Sequence, residues 1–121
     1  MPVRKVLIVD DSVTDRQFLV DELSKRGYLC VAAQSGDEAI AKAKTESPDL
    51  ILMDIVMPGT NGYQATRAIT RDAATSHIPV ILCSGRSQDT DQIWGKRQGA
   101  KEYLVKPINL QELAAKIAAI G

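Results

Sequence analysis

Four short apolar runs of this chain lead into side chains that suit phosphoryl chemistry. The runs cover residues 6–9, 50–53, 80–83 and 103–105. The residues that follow them are Asp10 with Asp11, then Asp54, Ser84 and Lys106. If the runs are parallel strands of one sheet, their carboxyl ends meet at one edge, which is where open α/β sheets bind their ligands. The sequence therefore predicts three carboxylates, a hydroxyl and an ammonium group in one pocket.

The three predicted carboxylates, Asp10, Asp11 and Asp54, place a condition on the pocket. Carboxylates that share a site repel each other, so each raises the pKa of the others. A divalent cation, which takes oxygen ligands, removes that repulsion. The pattern therefore predicts a metal ion as well as a fold.

The segments between the apolar runs have helical spacing and carry residues that begin or end helices. Ser12 suits the start of a first helix that Gly27 ends, and Pro48 prevents a second helix from continuing. Asn109 and Glu112 form a predicted cap pair for the last helix. Strand and helix thus alternate five times, and the strands are almost continuously apolar. This predicts an α/β fold, a doubly wound parallel sheet with helices on both faces.

Two helices have weaker signals in the sequence. Residues 63–71 are compatible with a helix that follows a turn-rich loop. Between 89 and 98 only Ile93 and Trp94 are large and apolar, so a helix there has little to bury. We expect this segment to be mobile, which suits a switching element. Trp94 is either a half-buried cover for that helix or an anchor for a partner.

Other apolar residues of the chain follow the same helix and strand patterns. Phe18, Leu19 and Leu23 share a face of the first helix. Cys30 and Cys83 lie within apolar runs and lack the spacing of a metal site. We therefore expect both cysteines to be buried, reduced thiols.

Length and charge exclude several classes of function. The 121 residues suit one domain, which we take as residues 1–121. Fifteen basic and fifteen acidic side chains cancel, so no net field favours a nucleic acid or an anionic membrane surface as a partner. No apolar run is long enough to cross a membrane, and residues 1–5 lead into a strand instead of a signal peptide. We therefore expect a cytoplasmic protein.

Taken together, these motifs resemble the signature of response-regulator receiver domains. The matching segments are VDDS at 9–12, MDIVMPGTNG at 53–62, Ser84, and YLVKP at 103–107, and the resemblance spans residues 5–120. It implies a flavodoxin-like receiver fold with five helices and five parallel strands in the order 2-1-3-4-5. It also implies a switch in a two-component system. Such a protein is not an enzyme with a separate substrate, because it catalyses only its own phosphorylation and dephosphorylation.

The resemblance implies a role for each residue of the pocket. Asp54 becomes the phosphoacceptor, and a chemotaxis-type histidine kinase becomes the phosphodonor. Lys106 and Ser84 contact the phosphoryl oxygens. Mg²⁺ is the implied cofactor, and its ligands are Asp10, Asp11, Asp54 and the backbone carbonyl of Val56.

A change of shape is implied as well. When Ser84 moves toward the phosphoryl group, Tyr103 swings into the space that it leaves. This changes the face formed by the fourth helix, the fifth strand and the fifth helix, where an output protein binds. The Lys106–Pro107 peptide bond is expected to be cis. A tyrosine within a strand is also a common core residue, so both interpretations of Tyr103 stay open.

Two segments resemble a narrower group of receivers. Residues 53–66 and WGKRQGA at 94–100 are similar to single-domain receivers of the chemosensory system that controls type IV pili and twitching motility. Because the sequence ends at Gly121, directly after the last helix, we expect output by contact with another protein. We also expect a monomer. The alternative is a phosphate sink for the same kinase.

Three other classes share parts of this pattern. A flavodoxin needs a hydroxyl- and glycine-rich phosphate loop after its first strand, where this chain has Asp10 and Asp11. A phosphatase of the haloacid dehalogenase type has a second Asp two residues after its nucleophile, whereas Asp11 is followed by Ser12 and Val13. A receiver that works as a phosphorylation-independent docking module is the third class. His77, the one histidine, is expected to be a solvated loop residue and not a phosphodonor.

Overall fold

Strand and helix alternate five times in the computed structural model, which describes residues 2–86 and 88–121. The strands are β1 (Lys5–Val9), β2 (Leu29–Ala33), β3 (Leu50–Asp54), β4 (Val80–Ser84) and β5 (Glu102–Val105). The helices are α1 (Val13–Lys25), α2 (Gly36–Thr45), α3 (Gly62–Arg71), α4 (Asp89–Arg97) and α5 (Leu110–Ile120). None of the helices in the described ranges combines the length and the hydropathy that a membrane span requires.

The five strands form one parallel sheet in the order β2-β1-β3-β4-β5. This confirms the predicted α/β fold and its strand order. Every residue of β3 and β4 is buried, as is β1 after Lys5. Strands buried on both faces have no solvent side to alternate with, which explains their continuous apolar sequences.

The sheet separates two hydrophobic cores, and successive residues of a strand contribute to different cores. Leu7 and Ile51 belong to one core, while Ile8 and Leu52 belong to the other. Helices α2 and α3 cover the first core with Ala39, Ala43, Ala65 and Ile69. Helices α1 and α5 cover the second core with Leu19, Leu23, Leu113 and Ile117. Each large aliphatic side chain buried in this way stabilises the fold by about 1.5–3 kcal/mol.

The helices begin at cap residues. The cap of α1 was predicted, whereas the capping box of α3 was not. Ser12 caps α1, and its Oγ accepts a hydrogen bond from the backbone N–H of Asp15 at 3.2 Å. Asn61 and Gln64 form a complete capping box at the start of α3. Among the described residues of α4 only Gly95 is buried, which agrees with a helix that has little to bury.

Phe18 is less buried than the rest of its helix face, and the prediction that Cys30 is buried was wrong. Phe18 is 48% exposed, although Leu19 and Leu23 of the same helix are buried. The apolar stripe of α1 is narrow, and the side chain of Phe18 lies at its edge beside Pro107. Cys30 is only half-buried, because β2 is an edge strand with a neighbour on one side only. Cys83 is buried and both thiols are free, as predicted.

Candidate functional site

The carboxyl edge of the sheet brings the predicted carboxylates together. Asp10 directly follows β1, and Asp54 is the last residue of β3, which is the neighbour of β1 in the sheet. Carboxylate oxygens of Asp10, Asp11 and Asp54 all lie within 4.8 Å of one another. Asp10 and Asp54 are buried, whereas Asp11 is exposed. The predicted acidic cluster is therefore present and opens to solvent on the side of Asp11.

Lys106, which directly follows β5, provides the positive charge of the site. Its Nζ lies 2.8 Å from Asp10 Oδ2 and 3.4 Å from Asp54 Oδ1. A third carboxylate, Oδ2 of Asp15, lies 3.2 Å from the same ammonium group. The Lys106–Pro107 peptide bond is cis, as predicted. Lys106 thus links the carboxyl end of β5 to the acidic cluster and to the first turn of α1.

The protein itself fixes the position of Asp10. Its Oδ1 accepts a hydrogen bond from the backbone N–H of Ser12 at 2.9 Å. Its backbone carbonyl accepts one from Nη1 of Arg16 at 2.7 Å. With Lys106 on Oδ2, both carboxylate oxygens have a donor. A group held by several donors needs little reorganisation when a ligand arrives, so Asp10 is preorganised.

Two residues that contact this site, Asp15 and Arg16, were not among the predicted site residues. Both lie in the first turn of α1, which begins directly beside the sheet edge. A signal was available, since residues in the first turn after a strand-to-helix loop point back toward that edge.

The charges of the site act on each other's pKa values. Burial and the charge of Asp10 raise the pKa of Asp54 to about 6, against the opposing effect of Lys106. Burial alone would lower the pKa of Lys106. The hydrogen bond to Asp10 and the charges of Asp54 and Asp10 outweigh it, so the pKa of Lys106 lies above its usual value. Lys106 therefore stays protonated, whereas burial and the charge of Asp10 disfavour the charged form of Asp54.

The donor set fits Mg²⁺. Three carboxylate oxygens in reach of one another are hard ligands, and Mg²⁺ commonly binds through one or two carboxylates while it keeps several waters. The exposed side at Asp11 leaves room for those waters. Val56 follows Asp54 by two residues, and its side chain is 59% exposed. Burial and the charge of Asp10 both disfavour the charged form of Asp54, and a bound cation would offset that cost.

Ser84 and Tyr103 meet at the loop that follows β4. Ser84 is buried at the end of β4, and its Oγ accepts a hydrogen bond from the backbone N–H of Arg86 at 3.2 Å. The hydroxyl of Tyr103 donates to the carbonyl of Arg86 at 2.9 Å. The backbone N–H of Lys106 donates to the carbonyl of Ser84 at 2.8 Å. Ser84, Tyr103 and Lys106 are therefore linked through one short segment.

Tyr103 lies in the core in this structure, with 7% of its surface exposed. Its ring also lies against α4 at Gly95. A Cβ atom added to this glycine would contact the side chains of Leu82 and Tyr103. The inward position is the one expected of the switched state, and it equally suits a core aromatic. Both interpretations of Tyr103 remain compatible with this position.

Aromatic residues mark the neighbouring surface of α4. Trp94 is 48% exposed, and its ring meets that of Tyr63 edge to face with centroids 6.5 Å apart. The hydroxyl of Tyr63 donates to the carbonyl of Asp91 in α4 at 3.2 Å. Trp94 therefore covers α4 in part and leaves half of its surface to solvent. His77 is exposed in a loop, as predicted.

Comparison with known proteins gives a consistent result. Residues 6–118 match the family described as response regulator receiver domain. The chain is 50% identical to Protein PilH of Pseudomonas aeruginosa over 116 residues, which cover 96% of each protein. It is 35% identical to the phosphate regulon transcriptional regulatory protein PhoB of the same organism, of which it spans 51%. Its structure is similar to that of chemotaxis protein CheY4 of Vibrio cholerae, with a TM-score of 0.91, 31% identity, and coverage of 98% of this chain and 99% of that one.

Proposed function

Because this chain belongs to the response regulator receiver domain family, whose partners are histidine kinases, we propose that it accepts a phosphoryl group on Asp54. We take residues 1–121 as a single receiver domain, and we expect it to be a cytoplasmic monomer. The observation that carries the proposal is the placement of Lys106 against Asp10 and Asp54 within the acidic cluster. Burying the carboxylate of Asp54 beside two others costs stability even with a cation nearby. Such an arrangement is therefore typical of a functional site.

In the proposed reaction, an oxygen of Asp54 forms a bond to phosphorus and the bond from phosphorus to the kinase histidine breaks. The electron pair of the broken bond stays on the imidazole nitrogen. Mg²⁺, held by Asp10, Asp11, Asp54 and the carbonyl of Val56, would neutralise charge on the phosphoryl oxygens. Lys106 supplies a further positive charge. Hydrolysis of the aspartyl phosphate completes a cycle in which the protein acts on itself alone.

The phosphoryl group is then proposed to change the shape of the protein through Ser84. Its Oγ exchanges the N–H of Arg86 for a phosphoryl oxygen, and the loop that also anchors the hydroxyl of Tyr103 moves. The bond from Lys106 N–H to Ser84 couples this loop to the site. The face formed by α4, β5 and α5 thus reports the state of Asp54, and an output protein binds there.

The similarity to PilH over nearly its whole length supports a role in the chemosensory control of type IV pili and twitching motility. The output is contact with another protein, and neither a nucleic acid nor a membrane is an expected partner. The alternative roles are a phosphate sink for the same kinase and a docking module that works without phosphorylation. Because the described residues include each expected side chain of the pocket, we favour the phosphorylated receiver over the docking module.

The first experiment incubates the protein with Mg²⁺ and acetyl phosphate and measures intact mass. We expect one phosphoryl adduct on the native chain, none without Mg²⁺, and none on Asp54→Asn. An unmodified native chain that also fails to bind beryllofluoride would instead support the docking module.

A second experiment separates a signalling output from a phosphate sink. Binding of pilus motor proteins to the beryllofluoride-bound and free forms is compared, and the phosphate lifetime is measured in parallel. Tighter binding of the beryllofluoride form supports an output. Equal binding together with rapid loss of phosphate supports the sink.

A further inference from the structure

We propose that Asp15 is a positioning residue that holds Lys106 in the resting state and competes with the phosphoryl group for it. Asp15 Oδ2 lies 3.2 Å from Nζ of Lys106, closer than Asp54 Oδ1 at 3.4 Å. The inference rests on the proposed phosphorylation of Asp54, since the competitor is the group that arrives there. Asp15 does not touch the reacting atoms, so it acts only through Lys106.

Lys106 has a limited number of hydrogen-bond donors. An ammonium group has three N–H donors. Three carboxylates lie within reach of it, those of Asp10, Asp15 and Asp54. The contacts with Asp10 and Asp15 are hydrogen bonds, whereas the contact with Asp54 is longer, at 3.4 Å. When an oxygen of Asp54 bonds to phosphorus, that longer contact passes to a phosphoryl oxygen, and a full hydrogen bond to it requires Nζ to move away from Asp10 or Asp15.

Burial indicates which partner is released. The side chain of Asp10 is 3% exposed, whereas that of Asp15 is 51% exposed. Asp54 is not a competitor, because it carries the phosphoryl group. A buried carboxylate that loses its cation is left uncompensated, which is costly. An exposed carboxylate that loses its cation is solvated by water, so little is lost. Asp15 is therefore the partner that Lys106 exchanges for the phosphoryl oxygen.

The expected size of the effect follows from that exposure. Exposed ion pairs contribute about 0.2–1 kcal/mol, which corresponds to about a 1.5- to 5-fold change in an equilibrium constant. Asp15→Asn should therefore increase the affinity for beryllofluoride, a phosphoryl analogue, by about that factor. The substitution Asp21→Asn is a matched control, because Asp21 lies on the same helix and is exposed.

The experiment titrates beryllofluoride at saturating Mg²⁺ and follows binding by fluorine NMR. Native protein, Asp15→Asn, Asp21→Asn, Lys106→Met and the double variant of Asp15 and Lys106 are compared. We expect Asp15→Asn to bind more tightly than native and Asp21→Asn to match native. In the Lys106→Met background, loss of Asp15 should have no effect, because there is no longer a cation to compete for. An Asp15 effect that persists without Lys106 would indicate general charge repulsion and overturn the inference, as would weaker binding by Asp15→Asn.

A second measurement applies even if Lys106→Met does not fold. The carbon and proton signals of Lys106 Cε are compared in native protein and Asp15→Asn. They should differ in the free state and coincide when beryllofluoride is saturating. Identical signals in the free state would overturn the inference. Failure of native protein to bind beryllofluoride at all would count against the proposed function itself, so the two failures are distinguishable.

Discussion

Lys106 and Asp10 are 96 positions apart in the chain, yet Nζ of one lies 2.8 Å from Oδ2 of the other. The two residues follow β5 and β1, which are not neighbours in the sheet. Their contact therefore spans the carboxyl edge past two intervening strands, β3 and β4, and Asp54 ends the first of these. The ammonium group of Lys106 thus pairs with both buried carboxylates of the acidic cluster, Asp10 and Asp54.

The first prediction concerns the stability that this contact provides. Without Mg²⁺, Lys106→Met should lower the free energy of unfolding by about 3 kcal/mol, because it leaves two buried carboxylates without a cation. Lys116→Met is the control, since Lys116 pairs with Glu102 at 3.2 Å in a more exposed position. That change should cost at most about 1 kcal/mol. Urea denaturation of both variants checks the difference, and equal losses would contradict it.

The second prediction concerns pH. The pKa of Asp54 is about 6 in the folded protein against 3.8 for the ordinary side chain, because burial and Asp10 disfavour its charge. A raised carboxyl pKa disfavours the folded state wherever the unfolded chain is already deprotonated. The penalty is therefore absent below about pH 4, grows up to about pH 6 and stays constant above it, at no more than about 3 kcal/mol.

Asp54→Asn removes this penalty. Without Mg²⁺ the variant should be more stable than the native protein above about pH 6, and its advantage should shrink as the pH falls toward about 4. Denaturant unfolding across this range measures the difference, with Asp21→Asn as a control that should track the native protein. An advantage that is independent of pH would show that charge on Asp54 is not its cause.

The third prediction concerns the metal. Asp11 is exposed and is one of the three clustered carboxylates, so its main contribution should be to the cation. Asp11→Asn should weaken Mg²⁺ binding at least about tenfold by calorimetry, which is about 1.4 kcal/mol. Stability without Mg²⁺ should change by less than about 0.5 kcal/mol, as is usual for surface positions. A large loss of stability with unchanged Mg²⁺ affinity would assign Asp11 a structural role instead.

The strand order was implied by the resemblance to receiver domains. The sequence pattern itself predicted the acidic cluster, because that cluster depends on strand ends, which apolar runs and charged residues mark clearly. It did not predict the contact of Asp15 with Lys106, because that contact depends on how the first turn of α1 is oriented over the sheet edge. The sequence placed Phe18 on one apolar face with Leu19 and Leu23, but which part of that face is buried depends on neighbouring loops such as that at Pro107. Patterns along the chain thus reveal elements and their ends, whereas contacts between elements require the packing.

The last prediction concerns the loop that carries Val56. Gly62 begins α3, and a Cβ added there would overlap the backbone carbonyl of Asp54. Because backbone atoms cannot move aside as a flexible side chain can, Gly62→Ala should displace Asp54 or the start of α3 and cost about 1–3 kcal/mol. Gly85→Ala is the control, since a Cβ there meets no atom within 4 Å. We expect Gly62→Ala, and not Gly85→Ala, to be destabilised in denaturant and to react more slowly with acetyl phosphate. Normal phosphorylation of a destabilised Gly62→Ala would mean that the strain is absorbed by α3 and that Asp54 keeps its position.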